Sequence, residues 1–290
     1  MKLRHFYNQV VKFGKDRDPR KNKASITSYA DTAVLYGDLD TEVKKIMVGI
    51  DIEVAELLLA DRIRQRQGLD LVVAHHPEGR AFARLHDVMR LQVDLLKEAG
   101  ISGIVAEKLI EERMIEVERR ILPQNHTRPV DAARLLDLPF MCMHTPADNH
   151  VYRFIEKLMH DKKPRKVQDV VDILSEVPEY KQASKINAGP SIIIGNPNRP
   201  VGKIMIEMTG GTEGSKDVFE KLYKTGVRTI ISMHLSEEHF KKVKDANLNA
   251  VIAGHISSDT LGLNLLLDRL EKEESFQIIN SSGFYRIKRN

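Results

Sequence analysis

The sequence predicts an α/β protein whose two halves each contain a largely parallel sheet. Short apolar runs rich in β-branched residues alternate along the chain with segments of helical period. The length of 290 residues suits two compact domains of roughly 100 to 200 residues each. We place the first domain at residues 1–150, with a helical insertion near 82–122, and the second at 151–290.

The first half contains a strand–helix–strand unit. Residues 45–50 (KIMVGI) are short, apolar and β-branched, as in a buried strand. Residues 53–68 (EVAELLLADRIRQRQG) have apolar side chains at helical spacing, and Gly68 is a typical helix end. A second apolar run follows at 69–74, so this unit predicts two parallel strands joined by a right-handed crossover.

The next segment, residues 82–122, is long, charged and helical in period, and Pro123 ends it. We expect two helices here, and we interpret the charged side chains of the second helix as a solvated face with no chemistry. A short helix from residue 130 and the apolar run 139–143 complete the first half.

The second half begins with the apolar run 191–194 and then alternates strand and helix to its end. This alternation predicts another largely parallel sheet. The predicted segments are, in order, KIMIEM, KDVFEKLYKTG, TIISM, SEEHFKKVKDAN, AVIAG, DTLGLNLLLDRLEKEE and FQIIN.

Composition excludes several classes of protein. There are 45 Lys and Arg residues against 41 Asp and Glu, and only 6% of residues are aromatic, so we expect no nucleic-acid partner. No apolar run approaches the roughly 18 residues that a bilayer requires, so we expect no membrane span. The basic N-terminus does not resemble a secretory signal. The single cysteine, Cys142, cannot form an internal disulfide or a thiolate cage, and we predict a cytoplasmic location.

Histidines mark the ends of four apolar runs. Because ligands of parallel α/β sheets collect at the carboxyl ends of strands, these side chains indicate one shared site. Any one of them alone could instead be a core or loop histidine with a satisfied hydrogen bond. The residues are His75, His76, His144, His234 and His255.

Two aspartates follow these histidines at a spacing of four residues: Asp148 after His144 and Asp259 after His255. With Ser257 or Ser258 as N-cap, Asp259 would lie in the first turn of a helix, either as a metal ligand or as a carboxylate favoured by the helix dipole. Imidazole and carboxylate ligands suit zinc, iron, manganese or cobalt. Two neighbouring ions would allow adjacent strand residues, which point to opposite sides, to bind metal together.

A two-metal site activates water for attack on an ester, amide or phosphoryl group, and this is the mechanism that we expect. The glycine turn after the strand KIMIEM is either an anion site at a helix start or a plain tight turn. Its candidate anion-binding residues are Gly210, Gly211, Gly214 and Ser215.

The order of these motifs resembles the NIF-three-like family, which includes homologues of "GTP cyclohydrolase I type 2". The matching segments are YGDLDTEVKKIMVGIDIEV, DLVVAHHP, HTPAD, MTGGTEGSKDVFEKLYKTG and SEEHFKKVKDANLNAVIAGH with SSD. The resemblance covers residues 34–270. It implies two similar α/β domains, a dinuclear metal centre between them at the carboxyl ends of the strands, and a homohexamer.

Carried over residue by residue, the resemblance implies that His75 and His255 hold one ion, that His76 and Asp148 hold the other, and that Asp259 bridges them. His144 would then orient Asp148 or contact substrate, and His234 is a further candidate for substrate contact or ligation.

Four features depart from the family pattern. Asp259 replaces the usual Glu, Glu78 and Arg80 follow the His-His-Pro motif, the segment 82–122 is longer than usual, and His234 stands where relatives often have an acidic residue. These departures affect the residue expected to bridge the two metals, the lining of the pocket and the segment expected to cover the site.

We therefore expect a metal-dependent hydrolase-like protein with two divalent ions and a nucleotide, pterin or phosphoester substrate. The alternative is a non-catalytic, ring-forming metal-binding protein that acts as a scaffold or regulator. A pocket of a few hundred cubic ångströms beside the metals favours the enzyme, whereas a closed site ligated only by protein favours the scaffold.

Overall fold

The structure, a computed structural model, describes residues 1–289. The first half of the chain contains, in order, α1 (Leu3–Arg17), β1 (Thr32–Tyr36), β2 (Lys45–Gly49), α2 (Val54–Gln67), β3 (Leu71–Ala74), α3 (Gly79–Ala83), a 3₁₀ helix (Leu85–Arg90), α4 (Leu91–Ala99), α5 (Gly103–Ile121), α6 (Arg128–Leu135) and β4 (Phe140–Met143). The alternation of strands and helices confirms the predicted α/β class.

The second half continues the alternation after a helical stretch. Its elements are α7 (Thr145–Lys162), α8 (Val167–Ser175), α9 (Pro178–Ser184), β5 (Ser191–Ile194), β6 (Lys203–Glu207), a 3₁₀ helix (Lys216–Val218), α10 (Phe219–Lys224), β7 (Val227–Ser232), α11 (Glu237–Asp245), β8 (Asn249–Ile252), α12 (His255–Glu273) and β9 (Gln277–Asn280). Within residues 1–289, none of the helices combines the length and the apolar character that crossing a bilayer requires.

The strands form two sheets with similar layouts among the described residues. The first has the order β1-β4-β3-β2-β9, and the second has the order β5-β8-β7-β6. In each sheet one outer strand is antiparallel, namely β1 against β4 and β5 against β8, and the other pairs are parallel. Two largely parallel sheets, as predicted, are therefore present.

The last strand lies in the first sheet. Strand β9 pairs in parallel with β2, and Lys45 is opposite Gln277 in the register. The sequence pattern grouped this strand with the second half, because local periodicity identifies a strand but does not identify the strand with which it pairs. The domain boundary at residue 150 stays a prediction.

The charged insertion forms two main helices, α4 and α5, preceded by α3 and the 3₁₀ helix. Its apolar side chains pack against the second sheet and its helices rather than against the first sheet. This cluster includes Leu96, Ile110, Phe219, Leu222 and Ile230, all of which are buried. A segment from the first half of the chain thus covers part of the second sheet.

The carboxyl ends of the central parallel strands of the two sheets face each other. His75 and His76 follow β3, whereas His255 follows β8. The ring centroids of His76 and His255 are only 5.2 Å apart. The edges of the two sheets on which α/β proteins usually bind ligands therefore meet at one place.

Candidate metal centre

Four histidines meet at this junction. The ring centroids of His75 and His144 are 4.9 Å apart, those of His75 and His76 are 5.2 Å apart, and His255 adjoins His76. Asp148 and Asp259 lie among them and are almost fully buried. The structure thus brings together every residue that the sequence suggested as a metal ligand.

Helix α12 begins earlier than expected, which decides the position of Asp259. The N-cap is Gly254, with φ 106°, and His255 is the first helical residue. The prediction of Ser257 or Ser258 as N-cap is wrong; the Ser258 hydroxyl instead donates a hydrogen bond to the Gly254 carbonyl at 2.6 Å. Glycine suits this turn because its positive φ carries no steric penalty. Asp259 therefore lies one turn inside the helix, on the same face as His255.

The two carboxylate oxygens of Asp259 face different histidines. Oδ1 lies 3.4 Å from His75 Nε2, and Asp148 Oδ1 lies 3.4 Å from the same nitrogen. Oδ2 lies 3.4 Å from His76 Nε2 and 3.5 Å from His255 Nε2. Asp259 thus connects two separate groups of potential ligands.

These separations suit metal binding. Two donor atoms held by one tetrahedral ion at about 2.1 Å lie about 3.4 Å apart, which matches the nitrogen–oxygen separations here. Within residues 1–289, the ligand atoms of three groups lie within 4.8 Å of one another: His75, Asp148 and Asp259; His76, His255 and Asp259; and His75, His76 and His144.

The geometry groups the ligands differently from the family resemblance. Asp148 lies beside His75, and His255 lies beside His76, whereas the resemblance implied that these two partners were exchanged. Motif order cannot decide this grouping, because it depends on how helices α7 and α12, which follow β4 and β8, approach the end of β3. Asp259 stands between the two groups in either case.

Several buried polar atoms of this cluster have no hydrogen-bond partner among the described residues. They include His75 Nε2, Asp148 Oδ1 and both carboxylate oxygens of Asp259. Buried carboxylate oxygens without partners are strongly unfavourable, and native proteins rarely contain them. Divalent cations would satisfy all of these atoms, so the residues present fit a metal centre.

Burial and neighbouring charge shift the ionisation of the cluster. Burial raises the pKa of Asp148 to about 7 and lowers the pKa of His75 to about 4. Burial opposes the charged form of Asp259, yet the three surrounding histidines hold its pKa below the usual range. His75 is therefore neutral at pH 7, which is the form that binds metal.

Burial also opposes protonation of His76, but Asp259 and Asp51 outweigh it and raise the pKa of His76 to about 10. A cation at this imidazole would have to displace a proton, because metal binding requires the neutral form. Metal binding at His76 would therefore release a proton near neutral pH.

Two further aspartates orient the histidine rings. His76 Nδ1 lies 2.6 Å from Asp51 Oδ1, and His144 Nδ1 lies 2.8 Å from Asp31 Oδ2. The Thr145 hydroxyl also donates to Asp31 Oδ2 at 2.6 Å. Such carboxylate–histidine pairs turn the other ring nitrogen toward a metal and raise its basicity.

Sequence reasoning missed Asp31 and Asp51, although their positions carried a signal. Asp51 comes just after parallel strand β2, and Asp31 comes just before β1, which runs antiparallel to β4. Both positions therefore lie at the same edge of the sheet as the histidines. His144 Nε2 is 3.7 Å from Asp148 Oδ2, close enough to orient that carboxylate, as the resemblance implied, or to bind a metal.

A cleft of about 430 Å³ opens beside the cluster. The cleft is lined by His76, His144 and His255 from the cluster, by the loop that follows α5, and by Arg128 at the start of α6. Glu78 also lines the cleft, and burial raises its pKa to about 7. The Arg80 guanidinium instead donates to the Val34 carbonyl at 2.7 Å.

The polar groups of the glycine turn already form hydrogen bonds with other groups of the protein. The Gly214 N–H donates to Glu207 Oε1 at 3.0 Å, and the Ser215 hydroxyl accepts from the Asp217 N–H at 3.4 Å. The carbonyls of Gly210 and Thr212 accept hydrogen bonds from Gln92. Carboxylates beside the turn disfavour an anion, so the contacts favour the tight-turn interpretation of Gly210, Gly211, Gly214 and Ser215.

A second polar group adjoins the cluster. The His234 ring centroid lies 4.8 Å from that of His255, and His234 Nδ1 lies 3.4 Å from Glu213 Oε1. Burial would raise the pKa of Glu213, but its contacts with His234, His239 and Ser236 hold the pKa at about 2. Glu213 is therefore a carboxylate at neutral pH, and it raises the pKa of His234.

Comparison with solved structures finds relatives along the whole chain. The chain is 30% identical to a NIF3 superfamily protein from Sphaerobacter thermophilus, with a TM-score of 0.79; the match covers 95% of this chain and 97% of that one. Reduced HcgD from Methanocaldococcus jannaschii matches at 16% identity and a TM-score of 0.58, over 97% of each chain.

A hypothetical protein from Staphylococcus aureus matches at 14% identity and a TM-score of 0.54, over 97% of this chain and 96% of that one. At such low identity this match and the match to HcgD show a shared fold alone. No protein-family model matches the chain, and no curated protein matches it.

Proposed function

Because this chain belongs to the NIF3 superfamily, we propose that it is a metal-dependent hydrolase with a dinuclear centre. One observation carries the proposal: the two buried oxygens of Asp259 lack hydrogen-bond partners among the described residues and face two different ligand groups. A carboxylate in this position is suited to bridge two cations.

In this proposal one ion would be held by His75, Asp148 and Asp259, and the other by His76, His255 and Asp259. The nitrogen and oxygen donors suit zinc, iron, manganese or cobalt. Bound divalent ions would polarise a phosphoryl or carbonyl oxygen and lower the pKa of water toward neutrality. Asp51 would keep the ring of His76 oriented for this binding, and Asp31 would hold the ring of His144 beside it.

The cleft supports turnover rather than a closed storage site. Its volume of about 430 Å³ lies within the roughly 300 to 1,000 Å³ of typical ligand pockets. It reaches His76 and His255 directly, so a small substrate could approach the ligand group formed by His76, His255 and Asp259. We propose a nucleotide, pterin or phosphoester substrate, with His144 and His234 as the candidate side chains that contact it.

The proposal is tested by screening metal-loaded protein against phosphoesters, nucleotides and cyclic amides. The wild type and a His76→Ala/Asp259→Ala variant are compared with a matched control, His160→Ala/Asp161→Ala, whose side chains are largely exposed. We expect hydrolysis by the wild type and the control, and none by the variant that lacks the ligands.

Two outcomes contradict the proposal. If hydrolysis survives in the His76→Ala/Asp259→Ala variant, the activity does not belong to this cluster. If the wild type binds metal but hydrolyses nothing in the panel, the non-catalytic scaffold is favoured instead. The homohexamer that the resemblance implied stays a prediction, which the mass of the purified protein in solution tests.

A further inference from the structure

Side chains of the helical insertion donate hydrogen bonds to the backbone of the glycine turn in the second half. The Gln92 side-chain amide donates to the carbonyl of Gly210 at 2.8 Å and to that of Thr212 at 2.7 Å. The Arg113 guanidinium donates to the carbonyl of Glu213 at 3.1 Å. Gln92 and Arg113 are both buried. Three hydrogen bonds from one segment thus fix the backbone of this turn next to the metal cluster.

Glu213 lies on this turn, and its side chain is only 10% exposed. The Ser236 N–H donates to Glu213 Oε1 at 2.6 Å. His239 Nδ1 lies 3.4 Å from Oε2, and His239 Nε2 lies 3.0 Å from the Gly214 carbonyl. Contacts to both carboxylate oxygens therefore leave the side chain little freedom to rotate.

Glu213 contacts the His234 ring at one of its two nitrogens. His234 Nδ1 lies 3.4 Å from Glu213 Oε1, whereas the side chain remains 44% exposed toward the cleft. Its ring adjoins that of His255. Yet the nitrogens of His234 are in none of the ligand groups formed by the described residues. His234 is therefore next to the metal cluster without joining it, and its other ring nitrogen is available to the cleft.

We propose that His234 is a substrate-contacting residue and that Glu213, held by Gln92 and Arg113 of the helical insertion, is its positioning residue. The inference rests on the hydrolase proposed above and extends it to the substrate. His234 would donate a hydrogen bond to an oxygen of a phosphoryl group bound at the two ions. The insertion would then serve to place this contact.

The proposal is tested with the full chain loaded with zinc, using inorganic phosphate as the ligand and isothermal titration calorimetry as the measurement. For His234→Ala we expect unchanged zinc content and roughly tenfold weaker phosphate binding, the loss of one charge-assisted hydrogen bond. The control His160→Ala, whose side chain is 83% exposed, should bind phosphate like the wild type.

A double-mutant cycle tests the positioning role. Glu213→Gln alone should weaken phosphate binding, but it should have no further effect in the His234→Ala background, because Glu213 acts through His234. A purely structural role for Glu213 would lower the melting temperature without this coupling. Additive effects on phosphate affinity would therefore overturn the positioning role even if Glu213→Gln is less stable.

Three results would overturn the contact itself: unchanged phosphate affinity in His234→Ala, loss of zinc from that variant, or no phosphate binding by the zinc-loaded wild type. The hydrolase proposal fails separately. Phosphate binding that depends on His234 without turnover of any substrate would leave the contact intact, whereas turnover with phosphate binding independent of His234 would remove the contact alone.

Discussion

Two neighbouring groups of polar side chains differ in how their buried atoms are satisfied. In the candidate metal centre, His75, Asp148 and Asp259 carry buried atoms without hydrogen-bond partners among the described residues. Next to it, Glu213, whose side chain is 10% exposed, and the buried His239 pair with each other and with the surrounding backbone and side chains. Similar residue types in two neighbouring groups thus serve two purposes.

This difference distinguishes a binding site from the neighbouring residues that fix its geometry. Unpartnered buried carboxylates indicate a cation that comes from outside the chain, because their burial is otherwise unfavourable. A group whose members satisfy one another needs no such ligand and instead fixes geometry. The comparison predicts that changes in the first group act on metal binding, whereas changes in the second act on position and stability.

The largest effect is expected at Asp259. Asp259→Asn keeps the shape of the side chain but removes the charge that faces both ligand groups. We expect zinc content, measured by elemental analysis, to fall close to zero, and the rise in melting temperature on adding zinc to disappear. The matched control is Asp245→Asn on the exposed end of α11. Full zinc content in Asp259→Asn would remove the basis for the comparison.

A smaller effect is expected at Asp51, which contacts the cluster only through His76. Removing a carboxylate that orients a metal-binding histidine typically lowers metal affinity about 10- to 100-fold. We expect this loss in Asp51→Asn, measured by competition with a chelator. Asp40→Asn, at another exposed position, should bind zinc like the wild type. Equal affinities in the two variants would show that Asp51 does not orient His76.

The second group is tested at Gln92. Gln92→Leu leaves the carbonyls of Gly210 and Thr212 without their donor, which we expect to lower the free energy of unfolding by about 1 to 3 kcal/mol. Urea denaturation measures this change, and Gln65→Leu on exposed surface is the control. Zinc content should not change. Loss of zinc on this substitution would mean that the two groups are not separable.

The smallest effect concerns the pH dependence of stability at Glu213. Its folded pKa, about 2, lies below the unfolded value, so its carboxylate stabilises the fold above the unfolded pKa of about 4.3. This contribution is lost as pH falls through the folded pKa. The difference in urea midpoint between wild type and Glu213→Gln should be largest at pH 7 and smaller at pH 3.

A difference that grows on acidification would contradict the low pKa of Glu213. The variant Glu238→Gln, whose side chain is 59% exposed, provides the control for loss of a glutamate charge. Its midpoint should follow that of the wild type closely, because exposed ion pairs contribute little to stability.

Local pattern predicted much of the fold because it depends on neighbouring residues. The βαβ unit of β2, α2 and β3 and the alternation after residue 203 follow from apolar periodicity. The same reasoning located His75 and His76, since a strand that ends in histidine can be recognised in one sequence. It misplaced the start of α12, because the turn at Gly254 competes with serine as a cap.

The sequence by itself determined the α/β class, the histidines and aspartates at strand ends, and the exclusion of thiolate ligands by a single cysteine. Only the tertiary structure decided that β9 joins the first sheet, that His75 lies beside Asp148 and His76 beside His255, and that the insertion holds the turn carrying Glu213. The physical reason is the separation along the chain of the residues that interact. Secondary structure follows from nearby residues, whereas these contacts join residues far apart in the chain, whose approach is set by the packing of whole sheets and helices.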